Sequence, residues 1–377
     1  MTHHLSPRTI EFQEHFGTFA ATEIAGRNFK EFPLDVWRSM GDQGLLGIGM
    51  AEEFGGSGGT SLDMLLAGEA FVRKGHNLGI ALSWLIHVIV ARFVIAGSAN
   101  PDQKKKYLPT LASGKLTASL AISEPGIGSH PKHLKTSAEY RDGQWILNGE
   151  KAYLSNGPFA DLYIILAVTG VKGMEKEFSA FIVPADTPGL TRTEPMALKV
   201  FKPSPHCGVK LVDCKLPPSS MLGNTGTAYR TIAIPFRDME DLMLMGPILG
   251  AMERQKELLL QAIQSKGVPV QAEQMAELGW IQSFTRAVRS LSCEAAIVMD
   301  EESLNDYFTS LLLAAKAMAE KSQGMVDRLL ENAGLQETSE WRILTDDLRF
   351  AVKLAANVRQ IKAQKQGNLL LNKKETK

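Results

Sequence analysis

The order of hydrophobic patterns along this 377-residue chain is the feature that most restricts its fold. From Pro7 to Leu116 apolar residues recur at three-to-four spacing, which predicts helices. Short strand-like runs follow, and after about Thr225 long helical patterns return. Helices, then strands, then helices is an uncommon order, and it predicts more than one core. The predicted domains are helical over residues 1–117, β over 118–225 and helical again over 226–377.

The middle region carries short runs of β-branched and aromatic residues bounded by glycine and proline, which predict strands. Because the runs are short and close together, they indicate a compact antiparallel barrel or sandwich. The runs are Trp145–Leu147 after an Asp142-Gly143 turn, Leu162–Val168, Phe178–Val183, and the group Val209, Leu211 and Val212.

The last region predicts a four-helix bundle. Its first helix contains Pro247 directly after Gly246, and a kink is expected there because proline lacks an amide donor and clashes with the preceding turn. The predicted helices are Met239–Gln264, Gln271–Met299, Asn305–Asn332 and Asp346–Ala363.

The charge balance argues against two classes of partner. The chain has 41 basic and 41 acidic side chains, so it carries no net charge that would attract nucleic acid or an acidic membrane. Cys207, Cys214 and Cys293 are widely spaced, with no Cys-x-x-Cys pair and no histidine at metal-ligand spacing. We therefore expect no metal site and a cytoplasmic location.

The most apolar stretch, Leu78–Ala91, is interrupted by polar residues and closed by Arg92. It is well short of the roughly 20 apolar residues that span a bilayer. We expect a buried core helix and no integral membrane segment. Met1–Ser6 lacks the charged-then-apolar pattern of a secretory signal.

Two polar motifs stand out in the β region, Ala121-Ile-Ser-Glu-Pro-Gly-Ile-Gly-Ser129 and Leu147-Asn-Gly-Glu-Lys-Ala-Tyr-Leu-Ser-Asn-Gly157. Either motif alone is consistent with ordinary turns, because serine, glycine and proline populate turns anyway. The pair in this order resembles the signature of the acyl-CoA dehydrogenase family, in which the first motif opens the middle domain. The resemblance is continuous from about residue 8 to residue 264.

Other segments agree with that resemblance: Gly44–Gly47, Glu53–Gly58, Lys105–Pro109 and Phe181–Gly189. The resemblance implies a helical domain, an antiparallel β-barrel and a four-helix bundle enclosing FAD. It also implies the α,β-oxidation of an acyl thioester, carried by CoA or by a carrier protein.

The family pattern implies the residues that bind the cofactor. Hydroxyls and strand amides suit the polar edge of a flavin ring. In the family, the position of Ser155 lies near the ring atom N5, and Tyr153 replaces a tryptophan that packs on the flavin. Ser129 matches a position near both ligands and is therefore also expected to bind substrate. The implied cofactor residues are Leu120, Ile122, Ser123, Ser129, Tyr153 and Ser155.

Desaturation also needs a base for the α proton, and a carboxylate in a dry pocket suits that task. Most family members place a glutamate near the C-terminus, where this chain has Ala356. The isovaleryl-CoA and long-chain subset places it in the first helix of the last domain, and alignment on Gly246–Gly250 assigns Glu240 as the base. The alternative is that Glu240 is only an acidic residue in a helix first turn. Asp241 replaces a family arginine and is expected near the substrate, where it would raise the pKa of Glu240.

Two family elements are absent. Where the family has an Arg-x-x-Phe-Gly element, this chain has Ser265–Val270. Where the family has a Gln-x-x-Gly-Gly loop, it has Leu330–Gly334. Loss of these contacts would weaken flavin binding. The chain therefore either shares its sites with a related subunit or has lost flavin.

Three hypotheses follow from the resemblance. The first is an FAD-dependent dehydrogenase that passes electrons to an electron-transfer flavoprotein, as a homo-oligomer or with a related subunit. The second is a non-catalytic or half-site subunit of a heteromeric dehydrogenase. The third keeps the flavin and acyl site but runs another reaction, such as oxidation of a carrier-bound acyl group.

Overall fold

A computed structural model describes residues 5–266, 270–301, 304–333 and 338–372. The chain divides into two compact units, and each draws on separated parts of the sequence. The helical unit contains Met1–Arg27, Thr60–Ala81 and Asp241–Lys377, and the sheet unit contains Asn28–Gly59 and Leu82–Glu240.

All the strands lie in one continuous stretch of the chain between two sets of helices, which is the predicted order. The helices are α1 (Pro7–Glu23), α2 (Leu34–Asp42), α3 (Ser61–Gly75), α4 (Leu78–Ile89), α5 (Ala96–Ser98), α6 (Pro101–Ala112), α7 (Ile234–Met243), α8 (Met245–Lys266), α9 (Ala272–Glu301), α10 (Asp306–Ala333), α11 (Ser339–Lys353) and α12 (Ala356–Asn372). The strands are β1 (Ala118–Ala121), β2 (Ser137–Arg141), β3 (Gln144–Ser155), β4 (Leu162–Lys172), β5 (Glu175–Pro184), β6 (Leu190–Arg192), β7 (His206–Leu216) and β8 (Met221–Leu222).

The strands form one eight-stranded sheet in the order β6-β7-β3-β2-β4-β5-β8, with β1 paired in parallel to β4. Inward-facing side chains from β1 to β7 share a single apolar core, which includes Leu147, Tyr163, Phe181 and Val209. The sheet therefore curls around its own core, as a barrel does. The predicted strand runs lie within β3, β4, β5 and β7.

The apolar stretch around Leu78 is a core helix, as predicted. The helix Leu78–Ser98 is long and apolar enough to cross a membrane, but 89% of its most apolar window is buried in the structure. Its second half widens into a π-helical turn at Val90–Ile95 before α5.

The kink predicted at Pro247 is present as a break. Helix α7 ends at Met243 and α8 begins at Met245, so the helical hydrogen bonding is interrupted just before the proline. Helix α8 then packs closely on α3, because a Cβ on Gly246 or Gly250 would meet the backbone oxygens of Leu65 or Glu69. Glycine is needed at both positions for this backbone approach.

The prediction of a single helix over Asp346–Ala363 is wrong, because the chain forms α11 and α12 with a break between them. Ala355 adopts a left-handed conformation with φ of 57°. Alanine has the highest helix propensity, so local sequence gives no signal for this break.

Candidate active site

A cleft in the sheet unit gathers residues from both polar motifs and from α7. Its volume is about 120 Å³. All the predicted cofactor residues and Glu240 lie on its wall, and Asp241 does not. The lining residues are Ile86, Leu120, Ile122, Ser123, Ser129, Ala152, Tyr153, Ser155, Ala233, Phe236, Arg237 and Glu240.

A buried ion pair fixes the loop that carries the first motif. The Lys151 ammonium donates to the carbonyl of Ile122 and to Glu124 Oε1, each across 3.0 Å. Glu124 also accepts from the amides of Lys135 and Thr136 at 2.7 and 2.8 Å. Burial lowers the pKa of Lys151 to about 8. Burial would raise the pKa of Glu124, but Lys151 and the hydrogen bonds outweigh that effect and lower it. The pair therefore stabilises the loop beside the cleft and is not itself part of the lining.

Tyr153 reaches the cleft because β3 is irregular at this point. The pairing of β3 with β7 shifts register between Lys151 and Leu154, which is a β-bulge. Tyr153 has φ of 62° and a side chain that is 56% exposed. A bulge redirects a side chain, and a left-handed tyrosine costs free energy that the surrounding structure must offset. The ring is thus available to a ligand.

Ser155 lies at the end of β3, where its main chain and side chain are both held. Ser119 Oγ donates to the Ser155 carbonyl across 2.7 Å. The Ser155 hydroxyl is 2.9 Å from His206 Nε2, and His206 Nδ1 is 3.1 Å from the Ser204 carbonyl oxygen. His206 was not predicted from the sequence. It becomes visible only because β7 pairs with β3 and places His206 opposite Ser155.

Helix α7 supplies the other wall. A π-helical turn at Tyr229–Ala233 precedes it. The lining residues Ala233, Phe236, Arg237 and Glu240 have the spacing of one α-helical face. The face is therefore partly apolar and ends in two charged groups.

Arg237 was also missed from the sequence. Its Nη2 donates to Ser129 Oγ across 3.0 Å, and the Tyr229 hydroxyl donates to the Ser129 carbonyl across 3.4 Å. The three-residue spacing from Arg237 to Glu240 was a usable signal, because residues so spaced share a helix face.

Asp241, expected near the substrate, has a different environment. Its carboxylate accepts from Lys316 and, across 3.0 Å, from Lys362. Burial would raise the pKa of Asp241, but the two ammonium groups outweigh it and the pKa lies below its ordinary value. Both lysines belong to the helical unit, as Asp241 does. Asp241 therefore forms ion pairs with these two lysines.

Of the positions that depart from the family pattern, Ala356 begins α12 and is exposed. The segments Ser265–Val270 and Leu330–Gly334 lie partly outside the described residues. Within the described part of the chain, no group of three or more His, Cys, Asp or Glu side chains is placed to hold a metal ion.

Comparison with known proteins identifies the family. The model of the acyl-CoA dehydrogenase N-terminal domain matches residues 6–115, and that of the middle domain matches residues 119–214. An acyl-CoA dehydrogenase of Bacillus subtilis is 30% identical over 293 residues, which cover 75% of this chain and 76% of that protein. The chain belongs to the acyl-CoA dehydrogenase family. It is thus an oxidoreductase by family, and the prediction from the two motifs is confirmed.

Other members of the acyl-CoA dehydrogenase family match over more of their length. A 2-methylacyl-CoA dehydrogenase of Solanum tuberosum is 28% identical, over 93% of this chain and 88% of that one. An isovaleryl-CoA dehydrogenase of Oryza sativa is 27% identical, over 91% and 86%.

Solved structures of acyl-CoA dehydrogenases and related proteins share the fold. Butyryl-CoA dehydrogenase from Megasphaera elsdenii superposes with a TM-score of 0.87 at 22% identity, covering 98% of this chain and 100% of that one. The FAD complex of PigA has a TM-score of 0.85 at 22% identity, over 98% and 99%. The prolyl acyl carrier protein oxidase AnaB has a TM-score of 0.84 at 23% identity, over 97% and 99%. The predicted fold class is confirmed.

Proposed function

We propose that this chain is an FAD-dependent dehydrogenase that desaturates an acyl-CoA thioester between its α and β carbons, with Glu240 as the base. The observation that carries the proposal is the meeting of Glu240 with both polar motifs in one cleft. The B. subtilis relative is named an acyl-CoA dehydrogenase, and isovaleryl-CoA dehydrogenases are among the other relatives.

The cofactor is FAD, and the residues present fit its ring. The Ser123 and Ser155 hydroxyls suit the polar edge of the ring, and the exposed Tyr153 side chain offers an aromatic face. In this proposal Ser155 would hold the side of the ring that carries atom N5. When bound, FAD accepts the hydride that leaves the β carbon. PigA, which shares the fold, has been solved with FAD.

Glu240 takes the α proton. Breaking that C–H bond leaves its electron pair on the α carbon, where it forms the Cα=Cβ double bond as the hydride leaves the β carbon. Glu240 shares the cleft with the apolar side chains of Ile86, Leu120, Ile122 and Phe236. A bound acyl chain that packs on these side chains would displace water from beside Glu240, and a partly desolvated carboxylate is a stronger base.

Arg237 and Ser129 bind the polar part of the substrate. The guanidinium has five N–H donors, and the contact with Ser129 occupies one of them. Charge-assisted hydrogen bonds from the others would orient the thioester relative to Glu240. Asp241 has no part in this mechanism.

The absorbance spectrum of the purified chain tests the proposal. The chain expressed alone, or reconstituted with FAD, should be yellow and should bleach anaerobically when a short or branched acyl-CoA is added. The matched control is the same acyl chain as a free acid, which should cause no bleaching. A chain that stays colourless with excess FAD would contradict the proposal.

A second candidate is a half-site or non-catalytic subunit that works with a related dehydrogenase. Its support is in the sequence: Ala356 stands at the usual base position, and Ser265–Val270 lacks the family's flavin-contacting arginine. Under this candidate, FAD binds tightly only after a sister subunit is co-expressed. Full FAD content and turnover in the lone chain would reject it.

The remaining partners are proposals of the same kind. Electrons pass to an electron-transfer flavoprotein, and the assembly is a homo-oligomer or pairs this chain with a related subunit. AnaB is a prolyl acyl carrier protein oxidase, so assays with CoA and carrier thioesters of one acyl chain would distinguish the two carriers for this chain. The cytoplasmic location remains a prediction.

A further inference from the structure

The hydrogen bond between Ser155 and His206 has a definite direction. His206 Nδ1 is 3.1 Å from the Ser204 carbonyl oxygen, which can only accept. Nδ1 must therefore carry the hydrogen. In a neutral imidazole the other nitrogen, Nε2, is then bare and accepts. The Ser155 hydroxyl, 2.9 Å from Nε2, consequently donates to His206.

The surroundings of His206 keep its ring neutral. The residue is 8% exposed, and burial lowers its pKa below the ordinary value while the Ser204 carbonyl opposes that effect only in part. The neighbouring thiol on β7, Cys207, is also uncharged at neutral pH because burial raises its pKa to about 11. The charged groups of the cleft are Arg237 and Glu240 on α7.

Further hydrogen bonds hold the histidine in place. Ser204 Oγ is 2.9 Å from Ser83 Oγ, and Asn156 Nδ2 donates to the Ser83 carbonyl across 2.8 Å. The backbone N–H of Asn156 donates to the carbonyl of Pro205 across 2.9 Å. The segment before His206 is thus tied both to the end of β3 and to α4. These bonds together favour one geometry of the segment that carries His206.

We infer that His206 is a positioning residue that keeps Ser155 a hydrogen-bond acceptor toward the cleft and thereby favours the reduced cofactor over the oxidised one. This inference rests on the proposed function. With its hydrogen engaged by His206, Ser155 offers only lone pairs to a ligand. Ring atom N5 of an oxidised flavin carries no hydrogen and can only accept, so it would gain no hydrogen bond from Ser155. After hydride transfer N5 bears a hydrogen and can donate to Ser155 Oγ.

The protein without cofactor tests the direction of the bond. In ¹⁵N-histidine-labelled chain, the His206 signals are assigned by their loss in His206→Phe. At neutral pH they should show a neutral ring with hydrogen on Nδ1. Hydrogen on Nε2, or a cationic ring, would overturn the inference.

The predicted preference for reduced cofactor is tested by measuring the reduction equilibrium of FAD bound to the protein. His206→Phe keeps a ring but removes the acceptor, which frees the Ser155 hydroxyl to donate to oxidised flavin. The ratio of reduced to oxidised cofactor at a fixed potential should fall about tenfold, the net effect of one hydrogen bond. His206→Gln retains an acceptor and should remain close to the parent protein.

A Ser155→Ala background separates positioning from a general packing effect. If His206 acts through Ser155, His206→Phe should leave the reduction equilibrium unchanged in that background. The same shift in both backgrounds, or no shift in the parent, would overturn the inference. A chain that binds no FAD would overturn the redox part together with the proposed function, while the ¹⁵N result independently decides the direction of the bond.

Discussion

Arg237 and Ser129 are joined by a hydrogen bond of 3.0 Å between Nη2 and Oγ. The bond connects α7, which carries Glu240, to the loop of the first polar motif. It therefore couples the placement of Glu240, the proposed base, to the placement of that loop. Both residues also line the cleft, so a substrate's polar group would meet them together.

We predict that Arg237→Leu raises KM for the acyl thioester about 10- to 100-fold, because a charge-assisted hydrogen bond contributes about 1.5–3 kcal/mol. Arg237→Lys should recover part of the loss. Steady-state kinetics provide the measurement, and Arg230→Leu is the control because Arg230 is exposed and does not line the cleft. Equal effects at the two arginines would contradict the substrate-binding role of Arg237.

Replacing Glu240 by Gln should lower turnover by about 100- to 10,000-fold, the usual contribution of general acid–base catalysis. The amide keeps the side-chain size but cannot take the α proton. FAD content and the oxidised spectrum should stay unchanged. Asp238→Asn removes a nearby carboxylate on the same helix that does not line the cleft, so it serves as the matched control. Turnover that persists in Glu240→Gln would exclude this residue as the base.

His87 should make the fold sensitive to acid. The ring is fully buried, it lies 3.0 Å from the Leu111 carbonyl through Nε2, and burial lowers its pKa from 6.5 to about 4. Between those pH values the unfolded chain binds a proton that the folded chain does not, so stability decreases as pH falls. The loss is roughly 3 kcal/mol at pH 4 relative to pH 7.

Urea unfolding midpoints at pH 4.5 and 7 test this prediction. His87→Gln retains a donor for the Leu111 carbonyl but does not titrate, and its midpoints should differ less with pH than those of the parent. An equal pH dependence in both proteins would show that His87 is not the source.

Gly250→Ala should destabilise the helical unit by about 1–3 kcal/mol, the usual cost of overpacking. The new methyl group would meet the Glu69 carbonyl on α3. Gly279→Ala on α9 is the matched control, since no atom lies within 4 Å of a Cβ there. That change should stabilise by about 0.5–1 kcal/mol through helix propensity. Thermal unfolding of the two variants should therefore shift in opposite directions.

The sequence was sufficient for the features that depend on local patterns or on a motif in register. The strand runs, the break near Pro247 and the cleft position of Glu240 are of this kind. Asp241 shows the limit of such a prediction. Successive helical residues point about 100° apart, so a neighbour of a cleft residue faces another environment. The lysines that contact it come from helices far along the chain.

His206 and the break at Ala355 could not have been found from local sequence. His206 acquires its role from strand pairing with Ser155, and no spacing rule connects residues so far apart. The break at Ala355 replaces the preferred conformation of alanine, so tertiary packing decides it.

The π-helical turn at Tyr229–Ala233 has a consequence for finding the counterpart of Glu240, the proposed base, in other family members. A π turn holds one more residue than an α turn, so a one-residue insertion or deletion there is absorbed locally. The same change inside α7 would swing every later side chain by about 100°. Length differences among homologues should therefore collect at this turn, and an alignment that opens its gap elsewhere before Glu240 would match Glu240 to a residue on another face of the helix.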